Sequence, residues 1–334
     1  NHKGKISDKW LSYIKEGNKL FLPLRQKQIN LFEIGVLNGG SLEIWAKYFK
    51  QADSIIGCDI NQACDQLKFS DQRISVLIGD ANSNDIENQL QNLVTNLDII
   101  IDDGSHKSSH IIHSFSRYFK YLRPGGLYII EDLHTSYWDA FEGGFNTPYS
   151  SMGFLKTLAD MVNFQHWRNQ RTRKDVLKPY EKYFGTNFKE IDLCKINSVM
   201  FFNSLCVIRK NNQEDTALGN RIVVGSTEII SEGYKRLHGT SIHDFAFSVT
   251  DDSHLNHFYL IDYTQKLQSK IVDKDALIQN NHQVIETLKS KLTKQDHLIN
   301  ELQSDITGLS TKLNQFTREI KTQKQIIESL TTNK

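Results

Sequence analysis

The stretch Asp98-Ile99-Ile100-Ile101-Asp102-Asp103-Gly104-Ser105-His106 leaves few folds open to this chain. A short apolar run that stops at two carboxylates and a histidine reads as a buried strand carrying polar groups to a sheet edge. A second run, Gly126-Leu127-Tyr128-Ile129-Ile130-Glu131-Asp132-Leu133-His134, ends the same way. If the two are neighbouring parallel strands with a crossover helix over 108–122 between them, their carboxyl ends lie side by side. Asp102, Asp103, His106, Glu131, Asp132 and His134 then converge, and so much negative charge in one crevice calls for a cation.

The rest of the N-terminal part extends that pattern. Residues 29–35 read as a first strand, and the turn Val36-Leu37-Asn38-Gly39-Gly40-Ser41 follows, with Ser41 placed to cap a helix through Tyr48. Residues 54–60 form a second strand that carries Asp59 near its end, and 74–80 a third that ends in Gly79-Asp80. With the strands at 98–102 and 126–131 this makes an alternation of strands and helical segments, the mark of an open parallel sheet in an α/β fold. Residues 198–209 predict two short strands around an Asn203-Ser204 turn, an antiparallel hairpin closing the sheet. Ahead of the first strand, Trp10, Tyr13, Ile14, Leu20, Phe21 and Leu24 among charges predict a short amphipathic helix covering the core or a ligand. The stretch 139–195, broken by Gly143-Gly144 and Pro148 and helical in spacing over 151–170, is expected to be an inserted lid and substrate wall.

From Leu267 onward the period changes to seven. The a positions Ile271, Ile278, Ile285, Leu292, Ile299, Ile306, Leu313, Ile320 and Ile327 are all apolar, and Leu267, Leu288, Leu302, Leu309, Phe316 and Leu330 fill d positions. This predicts a parallel coiled coil, a rod on the order of 95 Å at ~1.5 Å per residue. Ile at a with Leu at d favours two strands, whereas Lys274, Asn281, Gln295 and Gln323 at d loosen that case, so dimer and trimer both stand. The expected division is a catalytic domain over 1–209, a polar linker over 210–262 with a further strand at 221–230, and the coil over 263–334.

Charge and cysteine usage narrow the function classes. Lys and Arg number 40 against 39 Asp and Glu, so the whole chain gives no reason to expect nucleic acid as a partner. Cys58, Cys64, Cys194 and Cys206 have no C-x-x-C spacing and read as reduced structural thiols. No apolar segment approaches the ~20 residues that span a bilayer, and no signal-peptide core opens the chain. The expectation is a cytoplasmic protein, with a peripheral place at the inner membrane left open. A chain that begins without Met and stops inside a helical repeat is expected to be a piece of a longer polypeptide.

The order strand, Glu33-x-Gly35-x-x-x-Gly39-Gly40-Ser41 turn, strand with Asp59, strand with Gly79-Asp80, then two carboxylate-tipped strands resembles the class I S-adenosylmethionine-dependent methyltransferases. The Asp102-Asp103-Gly104-Ser105-His106 and Glu131-Asp132-Leu133-His134 pair is more specific and is similar to the magnesium-dependent sugar O-methyltransferases of macrolide and polysaccharide pathways. The resemblance covers residues 7–209 and implies a Rossmann-like sheet. One departure is Leu37, which stands where the usual turn has its middle glycine. On this resemblance Gly35, Gly39 and Ser41 would admit the amino-acid part of S-adenosylmethionine, and Glu33 would hold its ammonium. Asp59 would accept the ribose hydroxyls, Asp80 would meet the adenine, and Asp102 is counted with this group. The resemblance also implies Asp103, Glu131 and Asp132 as Mg2+ ligands, the oxygen donors a hard cation prefers. It implies His106 as the base that takes the proton of a sugar hydroxyl, with His134 the alternative.

Three readings follow. The first is an O-methyltransferase acting on a glycan or glycosylated acceptor. Because a macrolide enzyme has no need of a long coil, that reading extends to a homo-oligomer capping a bacterial surface polysaccharide such as O-antigen, with fused or associated glycosyltransferases. The second is an inactive methyltransferase-like scaffold assembled by its coil. The third is a metal-dependent hydroxylase on the same fold, although iron chemistry normally prefers two histidines and one carboxylate.

Overall fold

Helix α1 (Leu11–Phe21) leads into an alternation of β1 (Asn30–Ile34), α2 (Gly40–Tyr48), β2 (Ser54–Asp59), β3 (Ile74–Ile78), α3 (Asn84–Leu93), β4 (Leu97–Asp102), α4 (Ser108–Tyr118) and β5 (Leu122–Ile130). Then come α5 (Ser151–Met161), α6 (Arg173–Phe184), α7 (Glu190–Leu193), β6 (Ile196–Phe202), β7 (Leu205–Lys210) and α8 (Leu255–Thr331). This computed structural model describes residues 2–167, 171–241 and 255–331, with side chains from 270 to 328 in the last stretch. The chain divides into two units, Asn1–Tyr259 and Leu260–Lys334.

The strands make one seven-stranded sheet in the order β3-β2-β1-β4-β5-β7-β6. β1 to β5 pair in parallel, with Ile34 opposite both Cys58 and Asp102, and Asp102 opposite Ile130. The expected hairpin closes the sheet: β7 runs antiparallel to β5, and β6 to β7. Its Asn203-Ser204 turn puts Ser204 at φ 64. Apolar residues of the strands alternate between two faces. Ile99 and Ile101 of β4 pack with Tyr13, Phe21, Leu42 and Phe49 from α1, α2 and its end, while Ile100 packs with Phe115, Phe154 and Leu158 from α4 and α5. Each such fully buried side chain stabilises the fold by roughly 1.5–3 kcal/mol relative to exposure. The parallel order reverses between β1 and β4, so their diverging loops leave a crevice at the carboxyl edge, where open α/β sheets bind ligands.

Four expectations need correction. The N-cap of α2 is Gly39 at φ 78, not Ser41, and no side chain caps that helix. The helices α5 and α6 are not a lid. Phe154, Leu155, Leu158 and Met161 of α5 and Leu177 of α6 are buried in the core, because their helical apolar stripe has the open face of the sheet to cover. Residues 221–230 form no strand: Arg221 makes one backbone bond each with Thr240 and Gly239, and no ladder follows among the described residues. The last helix starts at Leu255, before the residue 263 expected of the coil. Of the expected linker, 242–254 lies outside the described residues, as do the side chains of Leu267 and Leu330 and all of 332–334. Within α8, Ile271, Ile285, Ile299, Leu313 and Ile320 are between 47% and 66% exposed in the single chain. No described helix is long and apolar enough to cross a membrane.

Candidate active site

The crevice is a cavity of about 770 Å³ whose lining includes Asp59, Asp80, Asp102, Asp103, His106, Glu131, Asp132 and His134. Backbone ladders continue past the strand ends to fix them. The Asp103 N–H donates to Ile34 O at 2.9 Å, and the Glu131 N–H to Asp102 O at 3.0 Å. Gly35, at φ 95, lets the loop after β1 touch the one after β4, since a Cβ there would lie 2.1 Å from Asp103 O. His106 at φ 58 and Asp132 at φ 55 hold left-handed backbone without being glycine, a strain of order 1–3 kcal/mol each that the surrounding contacts sustain.

The cation that the carboxylates call for is supplied within the chain. Lys9 Nζ lies 2.6 Å from Asp103 Oδ2, 2.8 Å from Glu131 Oε2 and 3.4 Å from Glu33 Oε1. Burial works against this ammonium, but Glu33, Glu131 and Asp103 outweigh it and raise its pKa. Burial pushes the Glu131 carboxyl up to about 8 against the pull of Lys9, and raises Asp103 and Glu33 in the same way. Asp132 is held by Trp10 Nε1 at 3.0 Å and the Tyr13 hydroxyl at 2.9 Å. Sequence reasoning missed Lys9. One lysine in a charged segment carries no local mark, and the only available clue was the excess of acids awaiting a cation.

Asp103, His106 and Asp132 each offer a ligand atom, all within 4.8 Å of one another. The two carboxylates at that spacing fit a divalent cation, and the imidazole beside them stands where it would meet the proton of a hydroxyl bound there. Glu131 faces the same cavity but is committed to Lys9, so the expected set of Asp103, Glu131 and Asp132 is contiguous without being free. His106 Nε2 stands 3.7 Å from Asp132 Oδ2. His134 differs, since its Nδ1 lies 2.6 Å from Ser204 Oγ and its ring packs edge-on to Trp10 and Trp138. Trp138 and Tyr137 are 52% and 45% exposed, which removes a core role for either.

On the cofactor side the geometry is more constrained than the strand-end pattern implied. Asp59 Oδ2 accepts from the N–H groups of Val36 and Leu37 at 2.8 and 3.0 Å, and Oδ1 from Asn61 N–H at 2.9 Å. Its carboxylate thus shapes the glycine turn and keeps room on Oδ1 for a further donor. Glu33 is fully buried, outside the cavity lining, and accepts from Ser41 Oγ at 2.7 Å and Trp45 Nε1 at 3.2 Å, so the ammonium it meets is that of Lys9. Gly39 also lies behind the lining, against Phe69. Gly35, Ser41 and Asp80 face the cavity, with Asp80 Oδ1 accepting from Asn82 N–H at 2.9 Å.

Residues 32–133 match the family model described as a methyltransferase domain. The chain is 36% identical over 177 residues to the 8-demethyl-8-alpha-L-rhamnosyl tetracenomycin-C 2'-O-methyltransferase of Streptomyces olivaceus, a match covering 50% of this chain and 46% of that protein. It is 36% identical over 174 residues to the demethylmacrocin O-methyltransferase of Streptomyces fradiae, covering 48% and 43%. A crystallised likeness is the MycE methyltransferase from the mycinamycin biosynthetic pathway in complex with Mg and SAH. It has a TM-score of 0.50 and 28% identity, covering 60% of this chain and 48% of that one. The match therefore takes in less than half of each of these relatives' own length. With the seven-stranded sheet and its acid-tipped strands, these likenesses give the globular unit the Rossmann-like sheet of the class I S-adenosylmethionine-dependent methyltransferases.

Proposed function

We propose that this chain transfers a methyl group from S-adenosylmethionine to a hydroxyl of a sugar acceptor, with Mg2+ at the carboxylate cluster. The observation that carries the reading is the meeting of Asp103, His106 and Asp132 at one end of the cavity that Asp59 and Asp80 line at the other. Bound there, S-adenosylmethionine would supply an electrophilic methyl and the divalent ion would acidify the acceptor hydroxyl. The chain's own residues do the rest. Asp103 and Asp132, with Glu131 once it is free of Lys9, would hold the ion. His106 Nε2 would take the hydroxyl proton as the oxygen–methyl bond forms and the sulfur–methyl bond breaks, and Asp132 would stabilise the resulting imidazolium. His134, tied to Ser204, is better placed to orient the acceptor together with Trp10 and Trp138, whose exposed rings suit the apolar face of a sugar.

The acceptor class is supported by relatives named for sugar O-methylation. The finer reading is that of a cap on a bacterial surface polysaccharide, delivered by a homo-oligomer beside glycosyltransferases, and it is supported by the heptads of α8 and their exposed apolar row. Methyl transfer from radiolabelled S-adenosylmethionine to a panel of glycosylated macrolides and O-antigen oligosaccharides, with and without EDTA, tests both levels. Label on any sugar, lost in EDTA and restored by magnesium, is expected. Tight cofactor binding with no transfer would favour the inactive scaffold, and full transfer in EDTA would remove the metal.

A further inference from the structure

The cavity has a wall that is not part of the sheet. Residues 5–10 cross its mouth, and Ile6, Ser7, Asp8, Lys9 and Trp10 all face into it. This strap is pinned on the far side by Lys5, whose N–H and Nζ donate to Glu43 at 3.0 and 2.8 Å and whose Nζ also reaches Lys68 O at 2.6 Å. It lies so close on the start of α2 that a Cβ on Gly40 would fall 2.3 Å from Ile6 O. On the near side Trp10 and Tyr13 bind Asp132. Between these anchors the strap inserts one side chain, Lys9, only 11% exposed, into the centre of three carboxylates.

We propose that Lys9 and a divalent cation compete for Asp103 and Glu131, so that the strap over residues 5–10 withdraws its ammonium when the cation enters. The inference rests on the metal reading above. An ammonium at hydrogen-bond distance from both oxygens occupies the space that a cation coordinated by them would take, and two like charges cannot share it in so dry a site. The exchange favours the cation by one charge: one positive charge leaves three carboxylates and two arrive, while Lys9 regains solvent through an opening its own segment covers. Without the cation, Lys9 offsets part of the charge of the three acids. With it, the strap is released at the side where an acceptor would approach.

Mn2+ serves as the probe, with free ion counted by electron paramagnetic resonance on the full chain and on its Lys9→Met and Asp103→Asn variants. Binding at least tenfold tighter in Lys9→Met than in the unaltered chain, and lost in Asp103→Asn, is expected. On the unaltered chain, saturating Mn2+ should also speed backbone hydrogen exchange over residues 5–10, a readout that needs no variant to fold. Equal Mn2+ affinity with and without Lys9, or exchange in the strap unmoved by bound Mn2+, overturns the competition and leaves the metal site standing. Absence of Mn2+ binding in all three proteins overturns the metal site and the competition together.

Discussion

Asp102 is 4% exposed and its Oδ2 has no hydrogen-bond partner among the described residues. Burial pushes its carboxyl up to about 7, with Ser114 and the Gly104 N–H pulling the other way. An unfolded aspartate ionises near ~3.9, so between ~4 and ~7 the folded chain holds a proton that the unfolded chain has lost. Stability from this group is complete below ~4 and is lost as pH rises through 7, in total on the order of 4 kcal/mol at ~1.4 kcal/mol per pH unit. Urea denaturation at pH 5 and pH 8 should therefore show a smaller decline for Asp102→Asn than for the unaltered chain. Parallel declines would mean that Asp102 is ionised throughout. Asp59 invites a second test. Asp59→Ala removes two backbone hydrogen bonds from the glycine turn and one from Asn61, as well as the proposed ribose acceptor, each charge-assisted bond worth ~1.5–3 kcal/mol. Calorimetry with S-adenosylhomocysteine should show affinity falling at least tenfold and thermal stability falling with it; an unchanged affinity would move the cofactor elsewhere. Leu37 sits at φ 49 and is 68% exposed, a left-handed conformation that costs an L residue about 1–2 kcal/mol. Leu37→Gly is expected to leave stability level or raise it by up to ~1 kcal/mol, because the relieved strain is partly offset by the freedom glycine has when unfolded. A clear loss in thermal melts would show that Leu37 packs on something more than its own turn.

Between elements, one hydroxyl joins three parts of the site. Tyr13 OH of α1 lies 2.8 Å from Ser204 O in the β6–β7 turn and 2.9 Å from Asp132 Oδ1, and accepts from the Asp132 N–H at 3.0 Å. It thereby fastens helix, strand end and hairpin together and supports the left-handed backbone of Asp132. Tyr13→Phe leaves a half-buried N–H and the strained residue unsupported, so a loss of ~1–3 kcal/mol is expected in urea titration. A change within error would show that Trp10 alone holds Asp132.

Across the whole molecule, the long helix and the catalytic unit are expected to have separate work. In the single chain the a positions of α8 expose roughly half of each side chain, and rows of Ile and Leu at that spacing are stable in water when a second copy's helix covers them. Light scattering should find residues 1–334 as a dimer or trimer, and a chain ending near Asp262 as a smaller species that still methylates a soluble acceptor. If the shortened chain keeps the full oligomeric mass, the globular unit carries its own interface and α8 has another partner.

The strands at 98–102 and 126–131, their place side by side and the cluster of acids at their ends were all legible in the chain. An apolar run is a local signal, parallel connection rules leave few orders, and a sheet edge gathers whatever residues follow its strands. The heptads of α8 were legible for the same reason, since a period repeats along the chain. The lid expected over 139–195 instead packs α5 and α6 on the core, because periodicity marks an apolar face without naming the surface that face will meet, here the sheet and α4. Ser41 stands where a helix cap is expected, and instead it bonds Glu33. Lys9 was not seen at all. Its partners lie far along the chain at Glu33, Asp103 and Glu131, and no local pattern selects which of many lysines the folded chain will bring to a buried carboxylate. Sequence determined where negative charge would gather, through short-range periodicity; only tertiary packing decided which positive charge would meet it, because that choice depends on how the strap crosses the finished sheet edge.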